Sequence, residues 1–559
     1  MEQARILLAI VLSFLVFFAY EMFFVKREPV KQTEQQTTET APTQEAAPEV
    51  AKQTPYQPES VSEEIATVAP ETTSEPRADR PPRSVYVETP LYKVRISEKG
   101  ATFDRFELIH FRETVEPDSP PKQLISSEIV GGTVRTRMLR GSIPGMETAF
   151  YSGPAMEEPI RITDKAETVS FAWRSPQGIV VEKAYRFSPD AYLIGLTVTI
   201  KNGSAASLAD SLAVSLLKQF EDDNRAIGFR GPSVLMDGGV DQVKIKNIED
   251  QDLLTGKFSW MALQGRYFLQ AFLVEHPLDA SVRLSQQGAQ LVETRFNHPE
   301  STIKPGTQQA FTFDLFFGPK SLRVLNETGF DLSKVVNFGW FHIIAIPCLW
   351  IMNFIYGFIP NYGIAIIILT LITKVILWPL GTKSYKSMSQ MKKIQPLMTE
   401  LREKYKNDKK RMNQEMMNLY RTYKINPMGG CLPMAAQIPV FIALYRMLYE
   451  AIELRHAPFF GWINDLSAPD RLFRFGFSIP LMEPPYGIPV LTLVMGASML
   501  IQQKMTPTPG DPSQAKMMML MPIIFTFIFI NFPSGLVLYW LTNQIVSIGQ
   551  QQFTQRKYM

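Results

Sequence analysis

Apolar and polar positions divide the chain into stretches of contrasting pattern. Ile6 to Val25 form one apolar run broken only by Glu21 and closed by Lys26 and Arg27. At 1.5 Å per residue such a run crosses a hydrocarbon core of about 30 Å. No small-residue cleavage site follows it, so residues 1–26 are read as an uncleaved transmembrane anchor. Residues 27–84 are Pro, Thr, Gln and Glu with almost no large apolar side chains, the composition of a disordered linker. From 85 to 322 the period shortens to two, as in Thr168-Val-Ser-Phe-Ala-Trp, Leu196-Thr-Val-Thr-Ile and Phe311-Thr-Phe-Asp-Leu-Phe. Turns such as Ser188-Pro-Asp and Lys201-Asn-Gly separate the runs, which predicts a large β-sandwich.

Beyond Lys334 the chain becomes apolar again. Residues 335–360 are broken by Gly339, Pro347 and Gly357 and carry Trp340, His342 and Trp350, a pattern that suits an interfacial amphipathic helix. Five spans are expected after it, at 361–380, 427–449, 486–504, 516–532 and 536–553, with a short tail at 554–559. With the anchor they make six transmembrane helices in a polytopic α-helical protein carrying an extracytoplasmic β-sandwich. Between the second and third spans, residues 383–425 are expected to form a helical hairpin around Asn407-Asp408. Its apolar seam would be Tyr385, Met388, Leu397, Leu401 and Tyr405 against Met412, Met416, Leu419 and Tyr423.

Whole-chain composition hides this mosaic. With 559 residues, a net charge of +3 and 45% hydrophobic residues, the average resembles a soluble protein, which the apolar runs exclude. Charge matters locally. Residues 381–426 hold twelve Lys or Arg against four acids, so that loop is cytoplasmic. Counting outward puts both termini inside and the β domain outside. The basic hairpin, with Lys392, Lys393, Arg402, Lys404, Lys409, Lys410 and Arg411, is either a solvated positive-inside loop or a docking surface for ribosome, RNA or anionic lipid. DNA is not an expected partner at this net charge.

Candidate chemistry is sparse. The two cysteines, Cys348 and Cys431, lie in separate apolar stretches, and His110, His276 and His298 lack metal-ligand spacing. No Walker A, HExxH or GxSxG motif occurs, so no catalytic residue, metal or cofactor is expected. The five later spans contain no Asp or Glu, which argues against a carboxylate proton relay. Lys374 does lie inside a span, with Thr370 one turn away. It either snorkels to the headgroups or joins polar positions on other spans: Gln437, Thr492, Gln503, Tyr539, Asn543 and Ser547. Those residues are interhelical glue or the lining of a wet groove. Methionines gather towards the cytoplasmic side, as gap fillers or as a surface accepting varied apolar segments.

Three stretches carry a resemblance: Asn426-Pro-Met-Gly-Gly-Cys-Leu-Pro-Met-Ala-Ala-Gln-Ile-Pro-Val-Phe-Ile-Ala-Leu-Tyr, Phe532-Pro-Ser-Gly-Leu-Val-Leu-Tyr-Trp and Glu453-Leu-Arg-His-Ala-Pro-Phe. They resemble the YidC membrane protein insertases, and the order of elements matches the Gram-negative bacterial form. The resemblance implies a non-enzymatic insertase and chaperone of the bacterial inner membrane, with a hydrated intramembrane groove whose basic residue is Lys374. Relatives usually carry Arg there; Lys keeps point-charge attraction but loses bidentate pairing. Implied partners are nascent hydrophobic membrane proteins, a Sec translocon, the lipid bilayer and, through the hairpin, the ribosome. Read without the resemblance, the same pattern admits a transporter or channel, or a cell-envelope glycan enzyme using the β-sandwich.

Overall fold

The computed structural model describes residues 82–154, 158–220, 228–288, 290–423, 432–506 and 512–558. All of them belong to one compact unit, Pro70–Met559. The expected anchor at 1–26, most of the linker, and residues 424–431 at the head of the third expected span lie outside the described residues.

The β domain starts at Ser84 and runs to Pro319. A five-stranded sheet orders its strands Pro121–Gln123, Thr102–Arg112, Tyr92–Ser97, Ser84–Glu88 and Ile160–Arg161. The second sheet has eleven strands, and its centre is the pairing of Leu253–Gln264, Phe268–Gln287, Gln308–Pro319 and Leu193–Asn202. Alternation is visible in Leu193–Asn202, where every second side chain is buried. The two sheets meet through aromatic rings. Phe103 lies 4.9 Å from Tyr185 and Phe106 lies 5.0 Å from Phe317, centroid to centroid.

Between the sheets sits a buried cation. Lys183 is fully enclosed; its Nζ donates to the Gly100 carbonyl at 2.5 Å and lies 4.9 Å from the centre of the Tyr151 ring. Burial pushes its pKa down to about 7 from 10.5, against the opposing pull of the Glu147 carboxylate. The unfolded chain therefore binds more protons than the folded one between those two values, so stability rises with pH across that window and is flat below it. The contribution is up to about 1.4 kcal/mol per pH unit. Amide-exchange protection of the strand Ile179–Phe187 is expected to grow from pH 7 to pH 10 in the native chain. Lys183→Met should remove that slope, and an unchanged slope would show that the charge is already compensated.

Eight helices follow or flank the β domain among the described residues: α1 Leu322–Thr328, α2 His342–Phe358, α3 Tyr362–Lys404, α4 Lys409–Thr422, α5 Leu432–Glu450, α6 Val490–Met505, α7 Pro512–Phe529 and α8 Ser534–Tyr558. By length and composition, 339–358 and 362–404 are long and apolar enough to cross a membrane; Lys516–Phe529 is a shorter apolar helix. α2 buries Ala345, Cys348, Leu349 and Met352 on one face, and its other face exposes Ile343, Trp350, Phe354 and Phe358.

Several boundaries differ from the sequence reading. α3 is one helix of 43 residues, running from the expected span straight into the hairpin through Pro379 and Pro396. The hairpin's core is Ile394, Met398 and Tyr420, packed by Met391, Met416 and Leu419. On the first limb the seam is thus shifted from the expected Leu397 and Leu401, because the 391, 394, 398 spacing is the one that faces α4. Tyr486–Ile488, expected to open a span, is a strand paired with Leu472–Phe475, and α6 begins only after Pro489. α8 continues through the expected tail to Tyr558.

Two joints hold the parts together. At the first, β domain meets α5: Lys320 Nζ lies 3.3 Å from Glu450 Oε2, with the side chains 2% and 5% exposed. Arg266 donates from Nε to the Tyr449 carbonyl at 2.9 Å and stacks on the Tyr449 ring at 3.7 Å. Gly228, at φ +94°, lies so close that a Cβ would stand 2.5 Å from Glu450 Oε1. The second joint gathers the start of α6, the end of α7 and the start of α8. Asp470 accepts from Leu491 N at 2.7 Å and Thr492 Oγ1 at 3.0 Å at the start of α6. The next residue, Arg471, donates to the Ile530 carbonyl at 2.8 Å and Asn531 Oδ1 at 3.3 Å, just past the end of α7. Each charge thus meets the helix end of opposite sign. Ser534 N donates to the Ala468 carbonyl at 2.7 Å and Gly535 N to the Leu466 carbonyl at 2.9 Å, which pins the start of α8.

Candidate functional site

α3 starts on Asn361, whose Oδ1 accepts from Ile364 N at 3.1 Å, so the helix enters the bundle with its first turn capped. Two turns on, Thr370 is fully buried and its hydroxyl donates back to the Ile366 carbonyl at 2.6 Å. One turn further comes Lys374, 8% exposed. Leu371, Ile372, Val375 and Ile376 around it are exposed, so this part of α3 shows an apolar side outward and turns Lys374 inward.

Lys374 Nζ donates to Ser547 Oγ of α8 at 2.7 Å, and Ser547 Oγ donates to the Asn543 carbonyl at 2.7 Å. Gln437 Nε2 of α5 donates to Asn543 Oδ1 at 2.7 Å, and the Tyr539 hydroxyl lies beside Gln437. The sequence-expected Lys374, Gln437, Tyr539, Asn543 and Ser547 therefore form one polar chain across α3, α5 and α8, with Thr370 beside it. Snorkelling does not describe this lysine, whose ammonium faces α8. No carboxylate pairs with it among the described residues, so the ammonium brings an uncompensated positive charge into the bundle. Such a site attracts carboxylates and repels cations, and its strength grows as the local dielectric falls.

Two expected residues lie elsewhere. Thr492 is engaged at the N-terminal end of α6, on Asp470, because it falls in that helix's first turn. Gln503 sits near the opposite end of α6, and its Nε2 is buried with no partner. Sequence reading put Tyr385 in the hairpin seam, whereas its side chain lies near Ser547 and Gln502, and it missed Gln551, which lies one turn beyond Ser547. The four-residue spacing of Asn543, Ser547 and Gln551 was the available signal.

In the hairpin, Lys392, Lys393, Lys404, Lys410 and Arg411 are exposed and Arg402 is half-buried; the Lys409 side chain lies outside the described ones. Arg411 and Lys404 both flank the Tyr405 ring, at 5.4 and 5.6 Å, and Asp408 caps α4 through Arg411 N at 3.0 Å. Lys404, Lys410 and Arg411 consequently sit at the tip.

Comparison with known proteins covers almost the whole chain. Residues 84–351 match the family model described as YidC periplasmic domain, and residues 354–559 match the one described as 60Kd inner membrane protein. The membrane protein insertase YidC of Syntrophus aciditrophicus is 39% identical over 562 residues, covering 99% of each chain. That of Syntrophobacter fumaroxidans is 39% identical over 565 residues, covering 99% of this chain and 100% of the relative. A crystal structure of an active YidC insertase with its first transmembrane domain resolved aligns with a TM-score of 0.36 at 18% identity, covering 84% of this chain and 92% of that one. End-to-end likeness of this kind sets aside the transporter, channel and glycan-enzyme readings, and the chain belongs to the YidC family of membrane protein insertases, inner-membrane proteins with a periplasmic domain that are not enzymes.

Proposed function

We propose that the polar chain from Lys374 to Gln437 is the lining of the groove through which this insertase passes the hydrophilic flank of a nascent membrane protein. The observation that carries the reading is the Lys374 ammonium: buried, held by Ser547 at 2.7 Å and without a carboxylate among the described residues. A client's apolar segment partitions into lipid unaided, whereas its polar flank meets a cost of several kcal/mol or more per charge in hydrocarbon. A wet groove reaching partway across shortens that passage, and Lys374 draws in acidic residues while the apolar segment leaves sideways past Leu371, Val375 and Ile376 into lipid. Thr370, Gln437, Tyr539, Asn543, Ser547 and Gln503 keep the lining polar.

In the orientation that accompanies this reading, the anchor is the first of six spans and α2 lies along the outer interface. The 381–426 hairpin and both termini face the cytoplasm, and the β domain and residues 451–485 face the periplasm. The exposed cations at the hairpin tip suit the ribosome, and a Sec translocon is a second partner; neither requires DNA binding. A photo-reactive residue replacing Gln437 is expected to crosslink to the polar tail of a ribosome-bound client, and one replacing exposed Ile376 to its apolar segment. Tail adducts at Ile376 with none at Gln437 would place the path on the lipid side and overturn the groove.

A further inference from the structure

Gln551 is fully buried, and both its Nε2 and its Oε1 lack a hydrogen-bond partner. Nothing in the groove as described uses it. It lies one helical turn beyond Ser547 and one turn before Gln555, whose Nε2 donates to the Met505 carbonyl at 3.4 Å. That contact brings the ends of α8 and α6 together, so Gln503, two residues before Met505, stands at the same level with its own buried, unpartnered Nε2. The third side is α3, where Tyr385 reaches Ser547 and Gln502, and Ser389, one turn on, buries an unpartnered hydroxyl. Unpaired amide groups thus continue the polar path from Lys374 towards the tips of α6 and α8.

A primary amide presents donor and acceptor side by side, as a peptide group does. Unpaired in an apolar bundle it is costly, and the deficit ends when a group with the complementary pair enters. Clients of an insertase share no side-chain pattern beyond apolarity, but every one carries an unsatisfied main chain until it becomes helical in the membrane. We propose that Gln551, assisted by Gln503, binds the main-chain amides of the client segment on its way to Lys374, giving the groove an affinity that does not depend on client sequence. This rests on the groove proposed above, and it adds a neutral contact ahead of the charged one.

The test uses the full chain in proteoliposomes and two synthetic clients that differ only in an acidic or a neutral tail. Gln551→Met is expected to slow insertion of both about fivefold to tenfold, the loss of one or two neutral hydrogen bonds, while leaving the melting temperature unchanged or higher. Lys374→Ala slows only the acidic client if the groove reading holds, whatever Gln551 does. A client with one backbone ester in place of an amide supplies the second measurement. It should be inserted more slowly than its amide parent by the native chain but not by Gln551→Met or by Gln551→Met with Gln503→Met. Native rates for both clients with Gln551→Met would overturn the proposal and leave water as the only occupant. So would a loss confined to the acidic client. Equal ester effects in native and variant chains, with a lowered melting temperature, would reduce Gln551 to a structural role.

Discussion

Insertion of a client with an acidic translocated tail is expected to fall at least tenfold in Lys374→Ala and further in Lys374→Glu, with Lys374→Arg close to the native chain. Two unit charges about 4 Å apart attract by roughly 4 kcal/mol at an effective dielectric near 20, and reversing one sign turns that attraction into repulsion of similar size. Part of the attraction is spent on stripping water from both charges, which is why the alanine variant is assigned tenfold rather than the full Coulomb value. Arginine retains the charge and adds a fork able to take both carboxylate oxygens. Clients with neutral tails should respond weakly to all three changes. Ser547→Ala, which removes the hydroxyl at 2.7 Å but not the charge, should cost less than Lys374→Ala. Insertion of the acidic client at equal rates by the native chain and Lys374→Glu, at matched protein levels, would take Lys374 out of the mechanism.

The largest effect on the architecture is expected at the joint between β domain and α5. Glu450→Gln leaves the Lys320 ammonium enclosed with no counter-charge, a change that typically costs about 3–5 kcal/mol. Amide exchange should accelerate at Phe316–Lys320 and Arg446–Leu454, the two segments that meet there. Lys320→Met combined with Glu450→Leu should recover most of the protection, because an apolar pair of similar volume needs no partner. The proposed groove lies among α3, α5 and α8, so insertion of the acidic client should fall far less in Glu450→Gln than in Lys374→Glu. Exchange at native rates in Glu450→Gln would mean that Arg266 on Tyr449 and Arg455 on the Glu113 carbonyl hold the joint by themselves.

Periodicity made the β domain legible, since strands such as Leu193–Asn202 alternate cleanly between core and surface. It also marked Lys374, conspicuous as a cation in an apolar run. Helix boundaries were less visible. In α3 no cap or break separates span from hairpin, because Pro379 and Pro396 are tolerated within the helix. Thr492 looked like a groove residue on composition alone. Its role was fixed by Asp470, which reaches it from a separate loop and which no local pattern announces. Lys320 and Glu450 were invisible as a pair for the same reason: 130 residues separate them, and only folding brings them to 3.3 Å.

The clasp of Asp470 and Arg471 on the start of α6 and the end of α7 offers the bundle a fulcrum. A helix held at one end behaves as a lever, and sideways displacement grows with distance from the support. α7 has 18 residues, hence about 27 Å of length, so a swing of roughly 10° about Ile530 carries its far end about 5 Å while the clasped end hardly moves. An arriving chain needs about that clearance, and in the proposed orientation it meets the gap at the cytoplasmic mouth. A swing of that kind would leave the clasped mouth narrow. With such a swing, opening for a client and sealing against ion leakage would be two ends of one motion, separated by the length of a single helix.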